Sequence, residues 1–122
     1  MKLNHLDLQV SDVQSTVTFF ETFFGLVLQT SRHTPAIAIL SDGEGFVLVL
    51  QRRTDDTPWP DGFHLGFLVD DTDTVLHTWQ RLTEAGHSVS EPSTNNRGMQ
   101  VYCRMPDGYL VEVSCRKTGP TH

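Results

Sequence analysis

The sequence predicts an α+β domain: two paired βαβββ modules forming a curved mixed sheet around a cleft, with the helices outside. Three observations carry that expectation. The strand pattern Asn4-His5-Leu6-Asp7-Leu8-Gln9-Val10 returns in the second half as Phe63-His64-Leu65-Gly66-Phe67-Leu68-Val69. Each copy leads into an amphipathic helical stretch closed by a glycine, Gly25 or Gly86, and then into short extended segments. Asp-Gly turns at Asp42-Gly43 and Asp107-Gly108 hold corresponding places before the last strand of each half. The repeat, of about 60 residues, is one of element order more than identity.

In the first strand, alternation puts Leu6, Leu8 and Val10 on one face and His5, Asp7 and Gln9 on the other. Ser11-Asp12-Val13-Gln14 reads as a capping box, the Ser11 hydroxyl accepting a backbone N–H and Gln14 reciprocating. Val13, Val17, Phe20 and Phe24 recur at helical spacing, and Gly25 suits the left-handed residue that ends a helix. A first helix is expected from Asp12 to Phe24. Leu26 to Ser31, Ala36 to Leu40 and Phe46 to Gln51 read as extended, completing a first module over residues 1–53.

Residues 54–62 carry Asp55, Asp56, Pro58, Trp59, Pro60 and Asp61 without periodicity and read as a connector, with Trp59 placed to cap the cleft. The second module, residues 63–116, begins with the strand Phe63 to Val69. Asp70 to Thr74 caps a helix whose buried stripe is Val75, Trp79 and Leu82, and Gly86 stops it. Ser88 to Ser90, Gln100 to Met105 and Tyr109 to Cys115 are extended, and 117–122 is a short tail.

At 122 residues the chain has the length of one domain, enough to bury roughly two thirds of its unfolded surface. With 38% apolar and 20% charged residues it matches soluble globular proteins, and no apolar run reaches membrane-spanning length. Met1-Lys2-Leu3 leads straight into a strand, so no signal peptide and a cytoplasmic location are expected. A net charge of −6 and no basic cluster larger than Arg52-Arg53 argue against nucleic acid as a partner. Cys103 and Cys115 read as reduced, buried thiols on the helix-facing side, although adjacent strands leave a bridge open.

Parity across the repeat collects the polar side chains. In the last strand Tyr109, Val111 and Val113 share one face, and Glu112 and Ser114 the other. Val101, Cys103 and Met105 oppose Gln100, Tyr102 and Arg104 in the same way. With the apolar faces under the helices, His5, Asp7, Gln9, His64, Tyr102, Arg104, Glu112 and Ser114 all line the cleft. His5, His64 and Glu112 make two imidazoles and a carboxylate, a ligand set that suits Mn, Fe, Ni, Co or Zn with positions left open for substrate. His33, His77 and His87 read as turn or helix-surface residues and His122 as terminal.

The stretch Asn4 to Asp12, the helix ending Phe23-Phe24-Gly25-Leu26, the strand Phe63 to Val69 and the stretch Pro106 to Val113 together resemble the vicinal oxygen chelate superfamily. That group includes glyoxalase I, extradiol dioxygenases, fosfomycin-resistance transferases and bleomycin-binding proteins. The resemblance covers nearly the whole chain as one such domain, 1–122, and implies paired βαβββ modules, a homodimer and a metal held in the cleft. His5, His64 and Glu112 match three of its ligand positions. The fourth, a glutamate in glyoxalase I, falls near Val49, which counts against that enzyme. The start of the chain is most similar to the fosfomycin-resistance transferases, and Tyr102 falls where they carry tyrosine. Asp7 stands where they have threonine, the cationic and serine residues of their substrate loop are not evident in Thr94 to Gly98, and their longer tail is absent. Their activity is therefore not carried over.

The expected function is a divalent-metal-dependent enzyme of lyase, isomerase, transferase or dioxygenase type, acting on a small oxygen-rich substrate. Asp7, Tyr102 and Arg104 are the candidates to move protons or orient that substrate, although Arg104 reads equally as a structural ion-pair partner of Asp7 or Glu112. The alternative is a metal-free protein that sequesters an antibiotic or natural product, as the bleomycin-binding relatives do. The acidic charge and Trp59 fit that alternative; the ligand set of His5, His64 and Glu112 does not.

Overall fold

Burial alternates along the long strands, broken only where Gln100 and Val101 are both buried, and this alternation sorts the chain into a helix-covered face and a polar face. Leu8 and Val10 are fully buried while His5, Asp7 and Gln9 are exposed; Val111, Val113 and Cys115 are buried while Glu112 and Ser114 are only half-buried. The computed structural model describes residues 1–32 and 34–117, so His33 and His122 lie outside the described residues. The chain divides into two units, Met1–Thr57 and Pro58–His122.

The first unit runs β1 (His5–Val10), α1 (Val13–Phe24), β2 (Val27–Leu28), β3 (Ile37–Ser41) and β4 (Val47–Arg52). Its four-stranded sheet has the order β1-β4-β3-β2, with β1 parallel to β4 and the other pairs antiparallel. The crossover through α1 is what allows the parallel pair, since parallel strands cannot be joined by a tight turn. Val13, Val17, Phe19 and Phe20 of α1 are buried, as are Ala38 and Leu40 of β3 and Leu48 and Leu50 of β4, on which the helix packs. Burying one such leucine or valine stabilises the fold by roughly 1.5–3 kcal/mol.

The second unit runs β5 (His64–Val69), α2 (Thr72–Glu84), β6 (Ser88–Val89), β7 (Ser93–Asn95), β8 (Gly98–Arg104) and β9 (Leu110–Arg116). Its sheet has the order β5-β9-β8-β6, with β7 paired to β8. Here β5 lies parallel to β9, repeating the β1–β4 arrangement, and α2 packs Val75 and Leu82 toward β8 and β9. Among the described residues, two helices and two mixed sheets make the fold α+β. No helix among the described residues is long and apolar enough to cross a membrane.

Several local expectations are revised. The cap of α1 is Asp12, one residue later than Ser11: its Oδ1 accepts the Ser15 N–H at 3.0 Å. A carboxylate there satisfies the same orphan amide as a hydroxyl and also faces the positive end of the helix. The Gln14 amide reaches the Arg32 carbonyl at 3.5 Å instead of closing a box. Asp71 caps α2 as the sequence suggests, accepting from both the amide and the hydroxyl of Thr74 at 2.7 Å, bonds that hold its carboxyl below the usual range. Trp59 stacks on Phe63, with ring centroids 4.5 Å apart, and meets Tyr109 edge-on, so it packs within the second unit. Trp79 is half-buried.

The strand β7 has no counterpart in the sequence reading, because Ser93, Thr94 and Asn95 are polar and exposed and show no alternation to detect. Pairing with β8 makes it a strand. Cys103 lies opposite Val111 and Cys115 opposite Met99, too far out of register to bridge, and both are free, buried thiols. Burial pushes the Cys103 thiol up to about 11.

Gly98 opens β8 at φ +129°, and a Cβ there would lie 1.9 Å from the Cys115 carbonyl oxygen. Gly43, at φ +79°, has nothing within 4 Å of the same hypothetical atom. Gly98→Ala is expected to cost at least about 3 kcal/mol, against about 1 kcal/mol for Gly43→Ala. Urea unfolding of the two variants checks this; equal losses would contradict the close approach of β8 and β9.

Candidate functional site

The polar face of the second sheet is laid out by strand register. Gly66 of β5, Glu112 of β9 and Tyr102 of β8 stand in one row across three neighbouring strands. His64 lies opposite Leu110, which lies opposite Arg104, in the next row. Pairing across adjacent strands puts such side chains within reach of one another on the same face.

Glu112 is the centre of this group. The Tyr102 hydroxyl donates to its Oε2 at 2.8 Å, and His64 Nε2 faces its Oε1 at 4.0 Å. The His64 and Tyr102 rings meet edge to face with centroids 5.8 Å apart. The Glu112 side chain is 17% exposed and that of His64 44%, so the carboxylate is shielded while the imidazole remains open to a ligand. Gly66 makes room: a Cβ there would come to 3.0 Å from Glu112 Oε1.

Hydrogen bonding sets the imidazole's orientation. His64 Nδ1 lies 2.9 Å from the Gly62 carbonyl oxygen, an acceptor only, so Nδ1 carries a proton and Nε2 is the nitrogen turned toward Glu112. With Nε2 protonated the two groups form an ion pair; with Nε2 bare they present two lone pairs, a donor pair that fits a metal ion. His5 shows the same preparation in the first unit, its Nδ1 lying 2.8 Å from Asn4 Oδ1.

The remaining candidates are placed as follows. Asp7, on the polar face of β1, accepts from the Gln51 side-chain amide across the sheet, with Gln51 on β4 two positions beyond the residue opposite it. Val49 lies opposite Asp7 and Ile39 as Glu112 lies opposite Gly66 and Tyr102, so the first sheet has a valine at the place of the second sheet's carboxylate. Arg104 is exposed and donates to the Gly108 carbonyl at 3.0 Å, holding the turn before β9. The structure thus brings His64, Glu112 and Tyr102 together. Among the described residues no group of three or more His, Cys, Asp or Glu side chains is gathered in the chain.

Two contributors escaped the sequence reading. Gly62 and Gly66 matter through a carbonyl and through a missing Cβ, neither of which a residue-type search registers. The glycine on the polar face of an otherwise apolar strand was the available signal for Gly66, since a strand glycine marks a close approach.

Comparison with known proteins places these observations. The model of the Glyoxalase/Bleomycin resistance protein/Dioxygenase superfamily matches residues 2–113. The chain is 32% identical over 118 residues to Glutathione transferase FosA of Serratia marcescens, covering 91% of this chain and 78% of that protein. A structure from Bacillus cereus described as a possible glyoxalase superposes with a TM-score of 0.84 at 34% identity, covering 94% of this chain and 99% of that one. The fosfomycin resistance protein FosX of Listeria monocytogenes shares the fold at 16% identity, with a TM-score of 0.79 and coverage of 96% and 94%.

The hydrogen bond to Glu112 raises the Tyr102 hydroxyl above its ordinary value, with burial and the carboxylate's charge acting in the same direction and Arg97 opposing. Burial, aided by Asp107, raises Tyr109, the chain's other tyrosine. Both favour the protonated form in the folded state, so their contribution to stability is complete below pH 10.0 and is lost as pH rises further. Ultraviolet titration of the native protein is expected to show no tyrosine ionising at its ordinary pH, and Glu112→Gln to bring one ionisation down. A normal titration in the wild-type protein would contradict the Tyr102–Glu112 bond.

Proposed function

The chain belongs to the Glyoxalase/Bleomycin resistance protein/Dioxygenase superfamily, and we propose that it is a divalent-metal-dependent enzyme of that group acting on a small oxygen-rich substrate. The observation that carries this reading is the His64–Glu112 pair, in which Gly62 holds the imidazole proton on the far nitrogen and leaves two donors facing each other. His5, prepared in the same way by Asn4, is assigned as the third ligand, from the same chain or from a second copy in a homodimer. An ion of the Mn, Fe, Ni, Co or Zn type held by these residues supplies a Lewis acid for a substrate carbonyl, enolate or hydroxyl oxygen.

The chain's own residues supply the rest. Tyr102 fixes the Glu112 carboxylate by donating to one oxygen and leaves the other free to ligate. Kept protonated, Tyr102 acts as a hydrogen-bond donor and not as a base. Asp7, steadied by the Gln51 amide, is the carboxylate assigned to accept a proton from substrate. Arg104, exposed beside the turn at Gly108, is assigned to orient substrate charge. The relatives include proteins named as a glutathione transferase and a possible glyoxalase, and substrate screening distinguishes these reaction types.

Metal analysis and calorimetric titration of protein purified without chelators test the proposal. The wild type is expected to bind a divalent ion, His64→Ala and Glu112→Gln to lose affinity by more than about 100-fold, and Tyr102→Phe by roughly tenfold, as an outer partner does. A wild-type protein that carries no metal and binds none when it is added overturns this reading in favour of metal-free sequestration.

A further inference from the structure

We propose that Trp59 is a positioning residue for His64: its stack on Phe63 fixes the turn whose Gly62 carbonyl holds the imidazole, so the connector sets how this side chain is presented. That the presented nitrogen meets a metal rests on the preceding reading; the hold of Trp59 on the imidazole does not. β5 is an edge strand of the second sheet, hydrogen-bonded to β9 alone among the described strands, so its first residue needs a second hold. The chain entering it is the run Pro58-Trp59-Pro60-Asp61-Gly62, in which Trp59 is half-buried and the others are exposed. Each proline fixes its own φ, and Pro60 also keeps Trp59 out of the helical region, so the run has little conformational entropy to lose.

The Trp59 ring lies on Phe63 with centroids 4.5 Å apart and 19° between the planes, and meets the edge of Tyr109 at 6.0 Å. Tyr109 is 1% exposed, so the stack ties the run to a buried ring. Between the two stacked residues the backbone closes a turn. The Phe63 N–H donates to the Pro60 carbonyl at 3.1 Å, and Gly62 stands at φ +83° at the third position of that turn, a conformation glycine accepts without steric cost. The Leu110 N–H donates to the Phe63 carbonyl at 3.0 Å, joining the turn to β9. The Gly62 carbonyl and the Phe63 N–H belong to one trans peptide, so they point in opposite directions in one plane. With the N–H held by Pro60, the carbonyl is aimed at His64 Nδ1, 2.9 Å away. Tilting that plane, as loss of the stack on Phe63 permits, takes the acceptor away from the imidazole. A ring whose Nδ1 proton has a fixed acceptor presents Nε2 in one direction.

The test follows the imidazole proton by NMR in chelator-treated, isotope-labelled full-length protein, with His64→Ala identifying its signal. The wild type is expected to show a His64 Nδ1–H resonance protected from exchange with water. Trp59→Ser is expected to lose it while keeping a folded amide spectrum, and Trp59→Phe, which can still stack, to retain it. Trp59→Leu, apolar but unable to stack, carries the same expectation as Trp59→Ser where the serine variant fails to fold. Trp79→Ser on α2 is expected to retain the resonance at whatever cost to stability. Cobalt(II) titration of the same proteins is expected to show about tenfold weaker binding for the two non-stacking variants alone, the size of an outer-partner effect. An unprotected Nδ1–H in the wild type, a resonance and a cobalt(II) affinity left unchanged by removing the stack, or equal losses in Trp79→Ser overturns the proposal. A protected proton that is lost with the stack, in a protein that takes up no cobalt(II), supports the positioning role while removing the metal reading.

Discussion

A carboxylate in the middle of an apolar strand is the constraint on which the candidate site depends. Glu112 sits on β9, an inner strand of the second sheet, between two valines that are fully or almost fully buried. Half-burying a charge there is unfavourable unless neighbours compensate it. The row across the sheet supplies part of that compensation, since Tyr102 donates to one oxygen and Gly66 leaves space for the other, while His64 faces it from the next row. Changing any of the three disturbs the orientation of the group that the others were arranged around.

The same geometry separates the two halves of the chain. Both sheets pair a first strand in parallel with a last strand, and both carry a histidine at the same place on the first strand. At the place of Glu112, however, the first sheet has Val49, and at the place of Tyr102 it has Ile39. Asp7, at the place of Gly66, turns its carboxylate to Gln51 instead. One half keeps a single prepared imidazole, while the other holds the imidazole, the carboxylate and the phenol.

Much of this was legible because strand parity is a strict rule: once Leu8, Val10, Val111 and Val113 are assigned inward, His5, Asp7, Glu112 and Ser114 must face the other way. The paired turns also gave the register that equates Val49 with Glu112. What the sequence hid were features without a residue-type signature. The strand β7 exists through its partner, and the Gly62 carbonyl acts through a backbone atom. The cap on α1 was off by a residue because Ser11 and Asp12 are equivalent candidates until the chain direction selects one.

The central claim is that histidine and glutamate side chains prepared on the polar sheet faces form one metal centre. X-ray absorption spectroscopy of the cobalt- or zinc-loaded protein, compared with His64→Ala, tests it most directly. The account predicts a shell of oxygen and nitrogen with two imidazoles, falling to one in the variant. A shell containing sulfur, or one whose imidazole content is unchanged by removing His64, would contradict it.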